Sequence, residues 1–515
     1  MVSSPVTAGM FMMSCSKDLL VEAKSLWAAL FEILETKKMS RANCIAHLCI
    51  PVVLVCLAIV AAAGWLTGRD DQLDNVLRFS QVSEEKPSPV SRLVLVIDVS
   101  RSLHITAPRY LSLTISGGQM RRNLEGFDFS SEKLKTMAAA LAPTYVRFGG
   151  TMADYLHFDP DGVDSPDPEE ESEELPQYFD SLFEGPLDQK KKNKLSNFTM
   201  SGERWDNLTR FCDEADWDIM WDFNLLYSRK GQWDPSYAKK FLKYNAARGV
   251  KIPSFQLGNE PNLYKRKYNI NIGAHELADD FHILKDLIAE FPQYDVSGIY
   301  GPDPTNLDKH KSARNYLAKF LKDGGCEAVN EVSLHQWLDK LGLAAKNGVT
   351  HVFRQTFFGS NYALLTRELE PNPDFFLSVL YKRLVEGPVF HVVTAGMSPQ
   401  LRLYAHCVRK GYYNYPDGAL VVYYLNMAGT LSHVALDRYQ NTVVDLFVFT
   451  PGDGDGLKSR KINMNGKLLA MKGAKMPKMK PLLHTGDIPV PPESYGFIVI
   501  PYAEVPLCKI YHRSA

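Results

Sequence analysis

The sequence has almost no net charge. Its 58 Lys and Arg stand against 59 Asp and Glu, a formal charge of −1 over 515 residues. No global field therefore calls for nucleic acid as a partner. Cysteine is scarce, eight in all, and the four beyond residue 66, Cys212, Cys326, Cys407 and Cys508, show no spacing that holds zinc. No metal site and no cofactor is expected. Long apolar runs are missing everywhere but one place. The remaining composition is that of a globular chain, 45% hydrophobic and 11% aromatic. Its length exceeds one ordinary core, so two folded domains are expected.

The one long apolar run is 48–66, which is uncharged and closes on Ala61-Ala62-Ala63-Gly64. Nineteen such residues can span a bilayer. Lys37, Lys38 and Arg41 precede it, which orients the bulk of the chain away from the cytosol. Two readings stand: a type II signal anchor behind an N-terminal tail, or a cleaved signal peptide if synthesis starts at Met39. Either gives entry to the secretory pathway and an anchored or secreted product. Asn197-Phe198-Thr199 and Asn207-Leu208-Thr209 are glycosylation sequons that fit such a route. Cys407 and Cys508 fall in one late β-rich region and either pair or remain buried thiols.

Beyond a tail at 1–75 and a polar linker at 76–91, residues 92–100 read as a strand. From 111 onward short apolar runs alternate with amphipathic helical stretches. The runs are 111–115, 145–150, 218–224, 254–260, 298–301, 331–335 and 351–357. That alternation argues a parallel sheet, and its span, 109–387, suits a (β/α)8-type barrel. After 388 strand-like runs follow one another without helices, and Asn465-Gly466 marks a hairpin. An antiparallel β-sandwich is expected over 388–515, joined by the early strand 92–100. Residues 160–189 form an acidic, Pro- and Ser-containing insertion, followed at once by Lys190, Lys191, Lys192 and Lys194.

The run Phe255-Gln256-Leu257-Gly258-Asn259-Glu260-Pro261-Asn262 carries the chemistry. An apolar strand stops at a proline, which cannot extend the ladder. Its last side chains then project from the C-terminal end of a barrel strand, where barrel enzymes hold their reactive groups. A carboxyl group there beside an amide is the arrangement of a glycosidase general acid. The plain alternative is a capping Asn and a surface Glu.

The segments resemble the heparanase family of retaining endo-β-glucuronidases that cut heparan sulfate, over about Leu93 to Ile510. Tyr145-Val146-Arg147-Phe148-Gly149-Gly150-Thr151 resembles the family's second strand, and Gln256 to Asn262 its fourth with the acid/base. Trp337-Leu338-Asp339-Lys340-Leu341-Gly342-Leu343 is similar to its last barrel helix, and Arg354-Gln355-Thr356-Phe357-Phe358-Gly359 with Asn361-Tyr362 to its final strand and substrate loop. The resemblance implies Glu260 as proton donor, Asn259 beside it, and Asn224, Thr151 and Tyr362 lining the cleft. Ser116 departs from the acidic residue the family has there. A processed linker ending near Gln189-Lys190, heparan sulfate or heparin as ligand, and a lysosomal or extracellular destination are also implied. Three basic clusters fit an anionic glycan: Lys190, Lys191, Lys192; Lys265, Arg266, Lys267; and Lys309, Lys311, Arg314. Plain solvated helix faces are the alternative.

One element is missing. Retention needs a second carboxylate about 5 Å from the first. The family supplies it as a Glu closing the seventh strand, but here His335-Gln336-Trp337 runs straight from strand six into the helix after strand seven. Counting agrees: seven strand candidates, not eight, and too short a connection. One strand–helix unit is expected to be absent, leaving a gap with unpaired edges and doubtful turnover. Glu368 and Glu370 follow the last strand as possible substitutes; Glu331 begins a strand and faces the wrong end. The scaffold then either cleaves heparan sulfate or binds it without turnover.

Overall fold

The computed structural model describes residues 9–14, 91–165, 197–229, 231–305, 310–329, 331–334, 338–360, 363–395 and 400–514. The apolar run 48–66, Lys190, Lys191, Lys192, Lys309, Tyr362 and the junction 335–337 lie outside them. No helix among the described residues is long and apolar enough to cross a membrane.

The barrel is built from strands β1 (Gly9–Ser14), β3 (Leu111–Ser116), β4 (Thr144–Gly149), β5 (Trp217–Phe223), β6 (Ser254–Leu257), β7 (Gly298–Tyr300), β8 (Glu331–Leu334) and β9 (His351–Gln355). The seven strands β3 to β9 are the seven apolar runs of the sequence, and they pair in parallel in the order β8-β7-β6-β5-β4-β3-β9. Strands β3 to β7 and β9 are largely buried on both faces, as crossover helices require. Inward residues alternate along each strand. Tyr145, Met220, Tyr300 and Phe353 form an apolar layer inside the barrel. Two residues further along, Arg147 and Asp222 replace it with a charged one.

The expected gap is corrected. Residues 9–14 form β1, which lies antiparallel between β8 and β9 and closes the ring. Phe11 stands opposite Leu334 on one side and Val352 on the other. The physical reason is the cost of two open edges, whose N–H and C=O groups need partners. An antiparallel strand meets that need without the crossover helix that a parallel one requires.

The second sheet contains β2 (Ser91–Thr106), β10 (Val385–Ala395), β11 (Leu401–Val408), β12 (Leu420–Asn426), β13 (Ser432–Leu436), β14 (Val444–Pro451), β15 (Ile462–Met464), β16 (Lys467–Leu468), β17 (Leu482–His484), β18 (Ile488–Val490) and β19 (Ser494–Ile500). It is continuous, in the order β16-β15-β14-β19-β12-β11-β10-β2-β13-β18, with β17 on β14. It is not wholly antiparallel: β13 pairs with β2 in parallel. Both faces of β12 are buried. Val421 and Tyr423 belong to the core shared with the barrel, Leu420, Val422 and Tyr424 to the sandwich interior. Through that shared core barrel and sandwich fall in one compact unit. Cys407 on β11 is bonded to Cys508 in the helix Pro506–Ser514.

Candidate active site

The C-terminal ends of β4 to β7 converge on Arg147. Its side chain is 1% exposed. Its Nη2 donates to Asp222 Oδ2 at 2.8 Å, Asp303 Oδ2 at 3.0 Å and Asn259 Oδ1 at 3.1 Å. Its Nε donates to Gln256 Oε1 at 2.6 Å. Gly149 leaves room for this: a Cβ there would stand 2.6 Å from the Arg147 guanidinium carbon and 2.7 Å from Asp222 Oδ2. Arg147, Asp222, Asp303 and Asp154 did not emerge as site residues from the sequence. The signal was a charge inside an otherwise apolar strand, Arg147 in Tyr-Val-Arg-Phe and Asp222 in Trp-Asp-Phe, which is uncommon without a partner.

Glu260 follows β6 in the left-handed region, φ 53°. Asp303 after β7 shares that conformation, φ 50°, and its carbonyl accepts from the Glu260 N–H at 3.1 Å. Two non-glycine residues held there by one hydrogen bond are a strained pair, and such strain gathers at functional sites. Glu260 Oε2 accepts from Lys267 Nζ at 2.8 Å. Lys267 also donates to Thr151 Oγ1 at 3.1 Å, and Asn259 Nδ2 reaches the same oxygen at 3.4 Å.

The structure thus brings Asn259, Glu260, Thr151 and Lys267 together. The others separate. Lys265 is exposed and Arg266 half-buried, while Lys267 is 3% exposed and turned inward, so it is no rim cation. Two residues along a helix are about 200° apart, so the short helix Tyr264–Tyr268 cannot show 265 and 267 to one side. Asn224 stands apart from the Arg147 group. Its Oδ1 accepts from Leu226 N at 2.8 Å and its Nδ2 donates to Leu156 O at 3.3 Å. It caps the strand end and lines a small cavity with Asp222, Tyr227 and Trp233. Lys311 and Arg314 are exposed on the helix Lys311–Phe320. Asn197 is exposed and Asn207 half-buried in the helix Gly202–Glu214. Glu370 pairs with Lys133 at 2.5 Å on the surface, and Glu368 is exposed, so neither faces Glu260.

The charge balance of the centre is unequal. Two cations, Arg147 and Lys267, meet four carboxyl groups, those of Asp154, Asp222, Asp303 and Glu260. Oδ1 of Asp154, Asp222 and Asp303 is buried without a hydrogen-bond partner. Burial pushes Asp154 up to about 7, against the pull of nearby Lys267. It pushes Asp222 up to about 8, outweighing Arg147. Both bind protons more tightly folded than unfolded, so they stabilise the fold below about pH 4 and lose that contribution as pH rises through 7 to 8. Burial acts oppositely on His406 in β11, pushing it down to about 3, so its share is lost as pH falls below about 6.5. With two aspartates against one histidine, unfolding free energy is expected to be highest near pH 4 and to fall toward pH 8 by roughly 1 kcal/mol per pH unit per uncompensated group, the histidine offsetting one aspartate only up to about pH 6.5. Denaturant titrations from pH 4 to 9 check this; Asp154→Asn should nearly level the slope up to about pH 6.5 and leave the fall carried by Asp222 from there to about 8.

Chemically, Glu260 as placed is an acceptor bonded to an ammonium, whereas a general acid offers a carboxylic O–H. Among the described residues, the carboxylates close to it are buried and held by Arg147 or beside Lys267. The fold and this carboxylate-bearing barrel mouth define the class: a (β/α)-barrel glycosidase scaffold with a β-sandwich.

Comparison with known proteins narrows the class. Residues 120–360 match the description "Glycosyl hydrolase family 79, N-terminal domain". Heparanase of Bos taurus is 30% identical over 504 aligned positions, covering 79% of this chain and 91% of that protein. Inactive heparanase-2 of Homo sapiens is 24% identical, covering 84% of this chain and 93% of that protein. A family 51 α-L-arabinofuranosidase from Bifidobacterium longum shares the fold at TM-score 0.50 and 10% identity, covering 80% of this chain and 100% of its own. The chain belongs to the heparanase family. In the Bos taurus alignment 79% of 515 residues, about 407, spread over 504 positions, so about a hundred fall opposite gaps in this chain.

Proposed function

We propose that this chain is a heparanase-like protein, of the endo-β-glucuronidase type by lineage, that binds heparan sulfate and does not cleave it. The observation that carries this is the Glu260–Lys267 ion pair in a centre with no carboxylate set opposite it among the described residues. A retaining mechanism needs one protonated and one ionised carboxyl group about 5 Å apart. Exposed Lys265 and half-buried Arg266 next to the site suit a sulfated, carboxylated chain. The enzymatic reading stays in view through one observation: Glu260 is 16% exposed at a strand end, beside Asn259, as an acid/base would be. The test is retention of the full-length chain on immobilised heparan sulfate, with the size of the eluted polysaccharide measured afterwards. Salt-dependent retention and unchanged polymer length are expected; absence of retention, or shortened polymer, counts against the proposal.

We further propose entry into the secretory pathway through 48–66. The Cys407–Cys508 bond supports it, since such bonds persist in oxidising compartments, as does the exposed sequon residue Asn197. In that form a single crossing, or cleavage, at 48–66 separates residues 9–14 from the barrel, so β1 and secretory entry exclude one another in one molecule. A mobility shift on N-glycosidase treatment would assign the chain to the lumen.

A further inference from the structure

The sandwich carries a charged surface that neither the site nor the fold uses. Between Lys458 and Lys480 the chain has seven Lys and one Arg, and from 456 to 486 it has no Asp or Glu. All eight cations are exposed. None forms an ion pair among the described residues, and Lys461 has the Asp453 carboxylate near it. The segment is nevertheless well anchored. Ile462, Met464, Leu469 and Met479 are buried in the main core. The hairpin β15–β16 pairs Asn463 with Leu468 and Met464 with Lys467. The Asn465 amide ties it to Leu446 O at 2.9 Å and Lys480 O at 3.2 Å. Apolar residues hold the backbone down, and the intervening lysines stand outward.

Lys472 and Lys475 sharpen the case. Each backbone N–H donates to the other's carbonyl at 3.1 Å around a turn with Gly473 at φ 57°. The fold sets two ammonium-bearing residues directly opposite each other with no acid between. Like charges so placed are destabilising. A surface kept at that cost, with no compensating carboxylate in 31 residues, fits a polyanion that supplies the missing charge.

We propose that the face formed by 458–480 is a second binding site for sulfated glycan, separate from the barrel mouth. Its cations are almost all lysine, point charges suited to sulfate and carboxylate groups along a flexible chain. No aromatic residue lies between 458 and 480 to stack bases, and no helix there could enter a nucleic-acid groove. The choice of glycan rests on the heparan sulfate reading above. The two sites together would let one molecule hold an extended glycan at two points, raising its apparent affinity beyond either site alone.

The test compares three variants of the full-length chain on heparin. One changes Lys467, Lys472, Lys475 and Lys478 to Gln. A control with the same change in net charge replaces Lys243, Lys251, Lys319 and Lys322, all exposed and outside ion pairs on the barrel. The third replaces Lys265 and Arg266 at the site. The first is expected to bind about tenfold or more weakly, with a shallower salt dependence, and the control within about twofold of the parent. Equal weakening in the first two would reduce the effect to net charge and overturn the proposal. So would unchanged binding in the first, or a loss of binding to duplex DNA or phosphatidylserine vesicles without a loss on heparin. Loss in the third variant alone would leave the barrel-mouth reading standing and remove this one. Loss in the first alone would do the reverse.

Discussion

Replacing Arg147 by methionine is expected to cost the fold about 3–5 kcal/mol, the range for removing one partner of a buried ionic group. The substitution keeps much of the volume but leaves Asp222 and Asp303 buried, 2.8 and 3.0 Å from an empty position. Gln256 and Asn259 lose a donor as well. The deficit should be smaller at pH 5 than at pH 8, because the stranded carboxyl groups can take up protons in acid. Arg147→Lys is expected to recover only part of it, since one ammonium cannot serve four acceptors spread around a planar fork. Equilibrium unfolding at the two pH values checks both statements. A pH-independent loss under 1 kcal/mol would mean that the cluster is more hydrated than its 1% exposure implies.

The second large effect concerns the sandwich. Changing Cys407 and Cys508 together to alanine is expected to lower unfolding free energy by about 4–5 kcal/mol. The bond closes a loop with a sequence separation of 101, and the loop-entropy relation gives about 4.7 kcal/mol for one near 100 residues. Both residues are fully buried, so truncation adds a small packing loss. The helix Pro506–Ser514 is tethered to β11 by this bond, and its protection from hydrogen exchange should fall first. Denaturant unfolding of the double variant beside the parent chain, both without reductant, measures it. No difference between the two would contradict the expectation.

Much of this architecture could be read from residues. The seven parallel strands were visible because buried parallel strands are continuous apolar runs, and their lengths and spacings survive in the sequence. Asn465-Gly466 gave the β15–β16 hairpin because that dipeptide tolerates the left-handed turn; Asn465 lies at φ 51° and Gly466 at 74°. Strand β1 was not legible. Gly-Met-Phe-Met-Met-Ser carries no alternation, and its pairing with strands more than 300 residues away depends on a vacancy that only the folded ring defines. The site divided similarly. Glu260 and Asn259 were marked by the proline that follows them. Lys267 looked like a third member of a rim cluster until the five-residue helix turned it inward. Arg147 was quoted within a motif yet not assigned a role, because a sequence shows a charge inside a strand but not the two aspartates, 75 and 156 residues away, that partner it.

The same reasoning explains why the basic face on the sandwich is separable from the barrel mouth. One is a set of exposed lysines on the sandwich, the other exposed Lys265 and half-buried Arg266 beside a closed group in which Arg147 and Lys267 each meet a carboxylate. Salt should weaken glycan held by either set of outward cations and act little on the closed group.

The most direct measurement is release of new reducing ends from heparan sulfate by the purified full-length chain, beside its Glu260→Gln variant, over pH 4 to 8. Neither protein is expected to release ends above the buffer blank while both still bind the polymer. Release by the parent chain that disappears in Glu260→Gln would show a working acid at Glu260 and a second carboxylate within reach of the sugar, and would contradict the loss of turnover.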